Sequence, residues 1–528
     1  MEPVTITIDG REIETAKGKT VIQAAADAGV AIPHYCYHPK LTVAGNCRMC
    51  MVEIEKIPKL QIACNTQVNA GMAVQTHSPK VLAARRAVME FLLINHPLDC
   101  PICDQAGECK LQDYYMSHDL AASRFAEGKE EQRKREKFGP HVLFDGERCI
   151  KCTRCVRFLQ EVTHTEELTV VNRGDRSTIS LFQERALDNP LSANVVDICP
   201  VGALTDRDFR FKVRAWFLNN TSSICPGCST GCNITVGSYQ NRVVRHKPRI
   251  NEEVNNHWIC DEGRYSFHAR TDVERLTSPM VRGQGGLVPT DWESAIKALA
   301  SGFSGVPSLA GLLSGRNTNE EAFLFAQLMR KISQRVHLEV FYQERELSET
   351  EKVLKSPDRS PNFRGAREMG LDSNSGLDGL IQELLQGKFQ GAYVIGEDLV
   401  SQTPNGAGIK SALEKLSFLA VQDTHLTPTG RLAHVVIPAT NFAEKDGTYT
   451  NRKGRIQRLR PAVTPPQGVL QDWEIFYRLS EKARMGISRP TPEEIFRQIA
   501  GQVPRYHGLD YASIGNQGSI PSSETGPS

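Results

Sequence analysis

HPLDCPICDQAGEC, from His96 to Cys109, carries three cysteines at C-x2-C-x5-C spacing. A [4Fe–4S] cluster takes four protein ligands, one per iron, and a tetrahedral zinc site also takes four. Cys100, Cys103 and Cys109 are therefore one ligand short, and His96 stands four residues before the first of them. An imidazole nitrogen binds iron in Rieske centres. The bland alternative is a helix-end histidine, with water completing the site. Three features favour His96 as the ligand: the other cysteines all find places elsewhere, Pro97 ends the preceding apolar helix, and the spacing is tight.

Working outward, three further groups appear. Upstream, Cys36, Cys47, Cys50 and Cys64 form C-x10-C-x2-C-x13-C. The first gap is longer than in plant-type ferredoxins, but the surroundings fit a β-grasp domain. VTITI alternates like a strand, Asp9-Gly10 signals a tight turn, and REIETA returns as a second strand. A short helix is expected from about Thr20 to Gly29, and Gly45 allows close backbone approach to a cluster. The reading is [2Fe–2S], with structural zinc as the competitor.

Downstream, CIKCTRC supplies Cys149, Cys152 and Cys155, and Cys199-Pro200 follows at a distance. Bacterial ferredoxins read C-x2-C-x2-C-x3-C-P, the fourth cysteine serving the other cluster. Here that fourth position is Leu159. The second run would need cysteines where Asn189, Ser192 and Val195 stand. One complete [4Fe–4S] set survives and the second is absent. The last group is Cys225, Cys228, Cys232 and Cys260; it suits [4Fe–4S], with a zinc ribbon as a fair rival on spacing alone. These groups use all 15 cysteines, and the single vacancy lies beside His96. One [2Fe–2S] and three [4Fe–4S] clusters are implied.

An odd cysteine count without a secretory leader argues against a disulfide framework. The 528 residues suffice for three or four domains, and 63 basic against 61 acidic residues leave no electrostatic footprint for nucleic acid or anionic membrane. MEPVTITIDG lacks the pattern of a signal peptide and no run of 18 apolar residues occurs, so a soluble chain is expected. No G-x-G-x-x-G follows a strand and there is no P-loop, so neither flavin nor NAD is placed here. Gly283-Gln284-Gly285-Gly286 reads as a turn. No catalytic residue is assigned.

In the second half LAGLLSG, HLEVFY, GAYVIG, FLAVQD and VVIPA read as strands separated in part by helices, and Thr318 and Glu321 form a capping box opening EAFLFAQLMRKI. Such alternation suggests α/β layers on a parallel sheet. Residues 344–376 are expected to be a mobile insertion, EGKEEQRKREKF near 127–138 a solvated helix or connector, and GNQGSIPSSETGPS at the end disordered.

GNCRMCMVEIE, HPLDCPICDQAGECKLQD, RCIKCTRCVRF, NVVDICPVGALT and the following RAWFL resemble signatures of the large iron–sulfur subunit family of bacterial NADH:quinone oxidoreductase, respiratory complex I, over residues 1 to about 270. VVIPATNFAEKDGTYTNRKGRIQ resembles that family's late motif. The resemblance maps the family's histidine ligand onto His96. It implies an electron-relay subunit of a translocase, on the cytoplasmic side of the inner membrane and membrane-associated only through its complex. The implied partners are a flavin- and NADH-binding subunit, a small [2Fe–2S] subunit and a downstream cluster-carrying subunit. The expected architecture is multidomain, α+β and α/β. A β-grasp [2Fe–2S] ferredoxin-like domain at 1–80 precedes a cluster segment with one histidine and three cysteine ligands at 81–125 and a one-cluster bacterial-ferredoxin-like domain at 140–215. A cluster domain of molybdopterin-oxidoreductase type at 222–272 follows, then a cofactor-free α/β domain at 273–480 and a partly disordered tail at 481–528.

Molybdopterin enzymes resembling residues 222–272 carry Cys-x-Lys-Gly-Arg, whereas this chain has Cys260-Asp261-Glu262-Gly263-Arg264. The carboxylate of Glu262 would repel an anionic pterin, so no molybdenum is expected and the fourth cluster is expected to serve folding. The competing readings are a formate dehydrogenase large subunit with a working pterin domain, an iron-only hydrogenase, and a multi-zinc scaffold. Leu159 and the absence of cysteine after Cys260 count against the hydrogenase.

Overall fold

The computed structural model describes residues 2–118, 122–372, 376–483 and 489–521. It divides into two compact units, Met1–Leu218 and Asn219–Ser528.

In the first unit Pro3–Ile8 and Arg11–Ala16 pair antiparallel around the Asp9-Gly10 turn. They lie in a five-stranded sheet ordered Arg11–Ala16, Pro3–Ile8, Ala73–Gln75, Met51–Ile54, Gln61–Ile62, in which Pro3–Ile8 and Ala73–Gln75 run parallel. Helix Val21–Asp27 starts at Thr20, whose hydroxyl and the Gln23 side chain make a capping box, an arrangement that contributes about 1 kcal/mol. Its Val21, Ile22, Ala24 and Ala25 pack with Ile6, Ile8, Val52 and Val74. Helix Pro79–Leu93 follows, capped by Ser78, and stops ahead of Pro97. The segment 122–135 forms no helix; it is largely exposed and ends in the two-residue strand Glu136–Lys137.

Helix Arg154–Phe158 runs into a π-helical turn, Leu159–Thr163. Leu159, Ser192 and Val195 are fully buried, and Asn189 donates to the Glu167 carboxylate at 2.9 Å. The positions where a second ferredoxin cluster would find ligands are thus packed or hydrogen-bonded.

In the second unit Asn219–Ile224, Asn233–Tyr239 and Arg242–Pro248 form an antiparallel sheet. A seven-stranded sheet follows. Its five parallel strands are ordered Val435–Pro438, Phe418–Asp423, Gly391–Ile395, Ser308–Ser314 and Arg335–Phe341. The hairpin Met280–Gly283 and Gly286–Pro289, turning at Gln284-Gly285, extends one edge antiparallel. Both faces are covered, so each central strand is apolar on both sides. Leu309 and Leu313 join Leu299, Phe325 and Phe476 on one face, while Ala310 and Leu312 join Leu380, Ile409 and Leu413 on the other. The expected capping box is present, with Thr318 accepting from the Glu321 amide.

Two expectations fail. Glu349–Lys352 and Phe363–Glu368 are helices, and Glu351, Lys355, Ser356 and Asn362 are buried, so the described part of 344–376 is built into the unit; residues 373–375 lie outside the described residues. Nor does the region after 481 form a detached tail. Helix Pro492–Gln502 buries Ile495, Phe496 and Ile499 in the core of the α/β sheet, and Ser519 bridges to Ile456. Residues 484–488 and 522–528 lie outside the described residues. The apolar face of PEEIFRQIA drives the second result: burying three large side chains is worth several kcal/mol, about 1.5–3 each.

Candidate metal centres

The first group sits on loops flanking strand Met51–Ile54. Cys36, Cys50 and Cys64 are buried and Cys47 is half-buried. The thiols act on one another in two pairs, Cys36 with Cys47 and Cys50 with Cys64. Donation from Cys47 is the main cause that brings the Cys36 thiol down to about 5 and pushes Cys47 up; Cys64 acts likewise on Cys50. Proton sharing of this kind marks thiols crowded into one small volume. The Cys36 amide also points at Cys47 Sγ, 3.5 Å away.

The second group lies beyond helix Pro79–Leu93. A short 3-10 turn, Cys100–Ile102, carries one ligand on the surface, while Cys103 and Cys109 are buried. The Nδ1 atom of His96 is buried without a hydrogen-bond partner among the described residues. Burial pushes this imidazole down to about 4, so it is neutral near pH 7, the form that binds metal. An orphaned, neutral ring nitrogen four residues ahead of Cys100 has the chemistry of a fourth ligand.

The third group is enclosed. Cys149, Cys152, Cys155 and Cys199 line one cavity together with Phe144, Ile179, Val201, Ala203 and Leu204. Burial in these apolar walls pushes Cys149 up to about 12 and Cys152 up to about 11, and raises Cys155 and Cys199. Four thiolates there need a compensating positive charge, which a metal centre supplies.

The fourth group belongs to the second unit, and all four of its cysteines are buried. The Cys225 amide donates to the Cys232 carbonyl at 2.9 Å, and Cys260 caps helix Asp261–Tyr265 by accepting from the Gly263 amide at 3.3 Å. A Cβ on Gly263 would stand 3.0 Å from Cys225 Sγ, so any larger residue there would press on this sulfur.

Each ligand loop contains residues in the left-handed region: Gly45 and Arg48 in the first, Gly107 in the second, Lys151 and Thr153 in the third, Gly231 in the fourth. Such backbone turns successive amides towards one concavity, an anion-binding device that recurs at iron–sulfur sites, and holding non-glycine residues there costs about 1–3 kcal/mol each. Among the described residues no three His, Cys, Asp or Glu side chains converge closely enough to hold a single ion.

The third group touches both other groups of the first unit. A Cβ on Gly202 would fall 2.4 Å from Cys103 Sγ, and the Lys110 amide, next to Cys109, donates to the Pro200 carbonyl, next to Cys199, at 3.0 Å. Towards the first group, Arg157 donates to the Cys36 carbonyl at 2.6 Å and to the Cys152 carbonyl at 3.2 Å. Tyr35, buried, stands within electrostatic reach of Cys47 and Cys109.

Glu262 departs from expectation in its surroundings. Its carboxylate is ion-paired with Lys355, Arg359 and Arg345, the last at 3.2 Å. Lys355 and Arg345 also bind Glu351, and Lys355 lies close enough to Cys260 to favour its thiolate. The repulsion expected of Glu262 is therefore largely neutralised by the segment 344–376. The sequence reading missed Arg85, Arg154, Arg157 and Lys355. For Arg154 and Arg157 a signal existed, because they flank Cys155 within its own motif.

Family models match along the chain: "2Fe-2S iron-sulfur cluster binding domain" at 1–79, "NADH-ubiquinone oxidoreductase-G iron-sulfur binding region" at 85–124, "NADH-quinone oxidoreductase subunit 3, ferredoxin-like domain" at 139–205, "NADH-ubiquinone oxidoreductase NDSU1/NuoG-like, 4Fe-4S domain" at 218–268, and "Molybdopterin oxidoreductase" at 352–482. The G subunit of the NADH-quinone oxidoreductase of Rickettsia bellii is 43% identical over 331 residues, covering 62% of this chain and 48% of the relative, so the alignment spans about half of that protein. The mitochondrial NADH-ubiquinone oxidoreductase 78 kDa subunit of Neurospora crassa is 33% identical over 599 residues, covering 90% of this chain and 80% of the relative. A solved chain from an NAD+-reducing [NiFe]-hydrogenase in the H2-reduced state is 33% identical over 40% of this chain and 90% of its own, with a TM-score of 0.37.

Proposed function

Because this chain belongs to the family of large iron–sulfur subunits of NADH:quinone oxidoreductase, we propose that it relays electrons from an NADH- and flavin-binding module towards quinone within the peripheral arm of a proton-pumping complex. The observation that carries the reading is the interlocking of the first three ligand groups in one unit, through Gly202 against Cys103 and Arg157 against Cys36 and Cys152.

In this reading the N-terminal five-stranded sheet is a β-grasp domain. Cys36, Cys47, Cys50 and Cys64 hold one [2Fe–2S] cluster. The three [4Fe–4S] sets are His96 with Cys100, Cys103 and Cys109; Cys149, Cys152, Cys155 and Cys199; and Cys225, Cys228, Cys232 and Cys260. The domain divisions at 1–80, 81–125, 140–215, 222–272 and 273–480 belong to the same proposal; that of 481–528 as a tail does not. When bound, the clusters supply one-electron, outer-sphere redox centres. The protein supplies the thiolates and the imidazole, excludes water from the third set with Phe144, Ile179 and Leu204, and turns loop amides towards sulfur, all of which set potential. The α/β sheet serves as scaffold without molybdenum, and the fourth set stabilises the fold. The partners are the flavin subunit, a small [2Fe–2S] subunit and a downstream cluster subunit, on the cytoplasmic side of the inner membrane. Among the described residues no helix is long and apolar enough to cross a membrane.

The test is reduction of the anaerobically purified chain. NADH alone leaves its visible absorption unchanged, and adding the flavin-bearing subunit bleaches it. Bleaching by NADH with flavin shown to be absent refutes the relay reading, and reduction by formate favours the dehydrogenase.

A further inference from the structure

We propose that Arg154 and Arg157 are positioning residues that hold the first and third cluster sites together and raise the reduction potentials of both clusters. The inference rests on the assignment of those two ligand sets to iron–sulfur clusters.

The two arginines stand three residues apart on helix Arg154–Phe158, on either side of the ligand Cys155, so their side chains leave the same helix face. Each takes one backbone carbonyl from each site. Arg157 donates to the carbonyl of Cys36 at 2.6 Å and to that of Cys152 at 3.2 Å, and also to the Thr42 carbonyl. Arg154 donates to the carbonyl of Ile198, which precedes Cys199, at 3.1 Å, and to that of Tyr37, which follows Cys36. The planar guanidinium, with its fixed fork of donors, suits this two-sided work in a way an ammonium does not.

Neither arginine has a carboxylate partner among the described residues, and Arg157 is only 8% exposed. A buried cation without a counter-charge is costly. Two other cations near cysteine ligands are paired. Arg148, near Cys103, binds Asp99 at 2.5 Å, and Lys355, near Cys260, binds Glu262 and Glu351. The missing counter-charge is furnished by the ligand sets themselves. Four cysteinates around an iron–sulfur core leave it anionic, and reduction adds one more negative charge. A cation beside such a site favours the reduced form, and a cation shared by two sites acts on both.

Arg85 gives an internal contrast. It is fully buried beside Cys50, with its Nε and Nη1 unbonded among the described residues, and it donates to the Met51 carbonyl at 3.2 Å. It contacts nothing of the third site, so its charge acts on the first cluster alone.

The experiment is an EPR-monitored redox titration of the full-length chain carrying Arg157→Met, Arg157→Lys, Arg154→Met or Arg85→Gln. Iron content and spectra of the unsubstituted chain are recorded first. If that chain lacks the first and third signals, the cluster assignment itself fails. Given those signals, Arg157→Met lowers both midpoint potentials by about 59 mV or more, a tenfold change in each one-electron equilibrium. The clusters at the second and fourth sites keep theirs. Arg157→Lys retains most of both potentials because the charge remains. Arg154→Met repeats the paired shift, which keeps the test decisive if Arg157→Met fails to assemble. Arg85→Gln lowers only the first. Unchanged potentials in the methionine variants, or a shift confined to one of the two clusters, would overturn the proposal.

Discussion

In the first unit Arg85 and Arg157 lie buried and Arg154 half-buried beside the cysteine groups, with no carboxylate in ion-pair contact among the described residues. In the second, Lys355, Arg345 and Arg359 converge on Glu262, and Lys445 sits between Glu321 at 3.0 Å and Asp472 at 2.6 Å. A cation already paired by the protein contributes little to a neighbouring redox centre, since the two fields cancel over a few ångströms. An unpaired one responds to every change of charge beside it. The contrast sets cations of the first unit that face cysteine groups without a carboxylate, Arg148 with its Asp99 and Asp145 excepted, against cations of the second that carboxylates satisfy.

The largest expected effect comes from removing a ligand in the first unit. Cys155→Ser strips the third set and leaves Arg154 and Arg157 without a counter-charge, so iron content, thermal stability and NADH-driven reduction of the assembled complex all collapse. Cys228→Ser in the second unit lowers stability or assembly more than it slows electron flow through whatever complex forms. Equal loss of electron flow in the two variants would erase the distinction. Next in size is His96→Ala, which removes or converts one [4Fe–4S] signal and leaves three clusters in place, read by EPR and Mössbauer spectroscopy. Unchanged spectra would return His96 to the status of a helix-end residue.

Within the second unit, Lys445→Met leaves Glu321 and Asp472 buried without their cation and costs about 3–5 kcal/mol in denaturant unfolding, with the clusters of the first unit unaffected. The same unit contains a titration independent of metal. Burial pushes the Glu320 carboxyl up to about 7 from its ordinary value near 4.5, against donation from Thr448 and Tyr511. Its folded pKa is raised, so stability is fully present below about pH 4.5 and is lost as pH rises through 7, by an amount on the order of 1–3 kcal/mol. Glu320→Gln should flatten the stability profile between pH 4.5 and 7.5, and an unchanged slope would contradict the assignment. The smallest effect is that of Glu262→Gln. Glu262 is more than a third exposed and Lys355 keeps Glu351, so the loss is about 1 kcal/mol.

The residues whose pattern is local were legible in sequence. The strands around Asp9-Gly10, the capping box at Thr318, the turn at Gln284-Gly285 and the parallel strands of the second unit follow from alternation, turn chemistry and capping. The four ligand groups could be counted because cysteine spacing is itself local. Three features were not read correctly. Polar composition suggested mobility for 344–376, yet Lys355 and Arg359 are ordered by Glu262, about ninety residues away in sequence. Helix Pro492–Gln502 was missed although Thr491 and Glu494 form a capping box, because the polar residues beyond it set the tone of the whole terminus. Apart from Cys152, the carbonyl partners of Arg154 and Arg157 lie more than forty residues away along the chain, and no residue type announces a backbone acceptor.

The measurement that tests the account most directly is combined iron, acid-labile sulfide, zinc and molybdenum analysis with low-temperature EPR on the anaerobically purified full-length chain. The account predicts about 14 irons per chain, as one [2Fe–2S] and three [4Fe–4S] clusters, with molybdenum and zinc below stoichiometry. Zinc in place of iron, a full equivalent of molybdenum, or a further [4Fe–4S] cluster in residues 140–215 would contradict it.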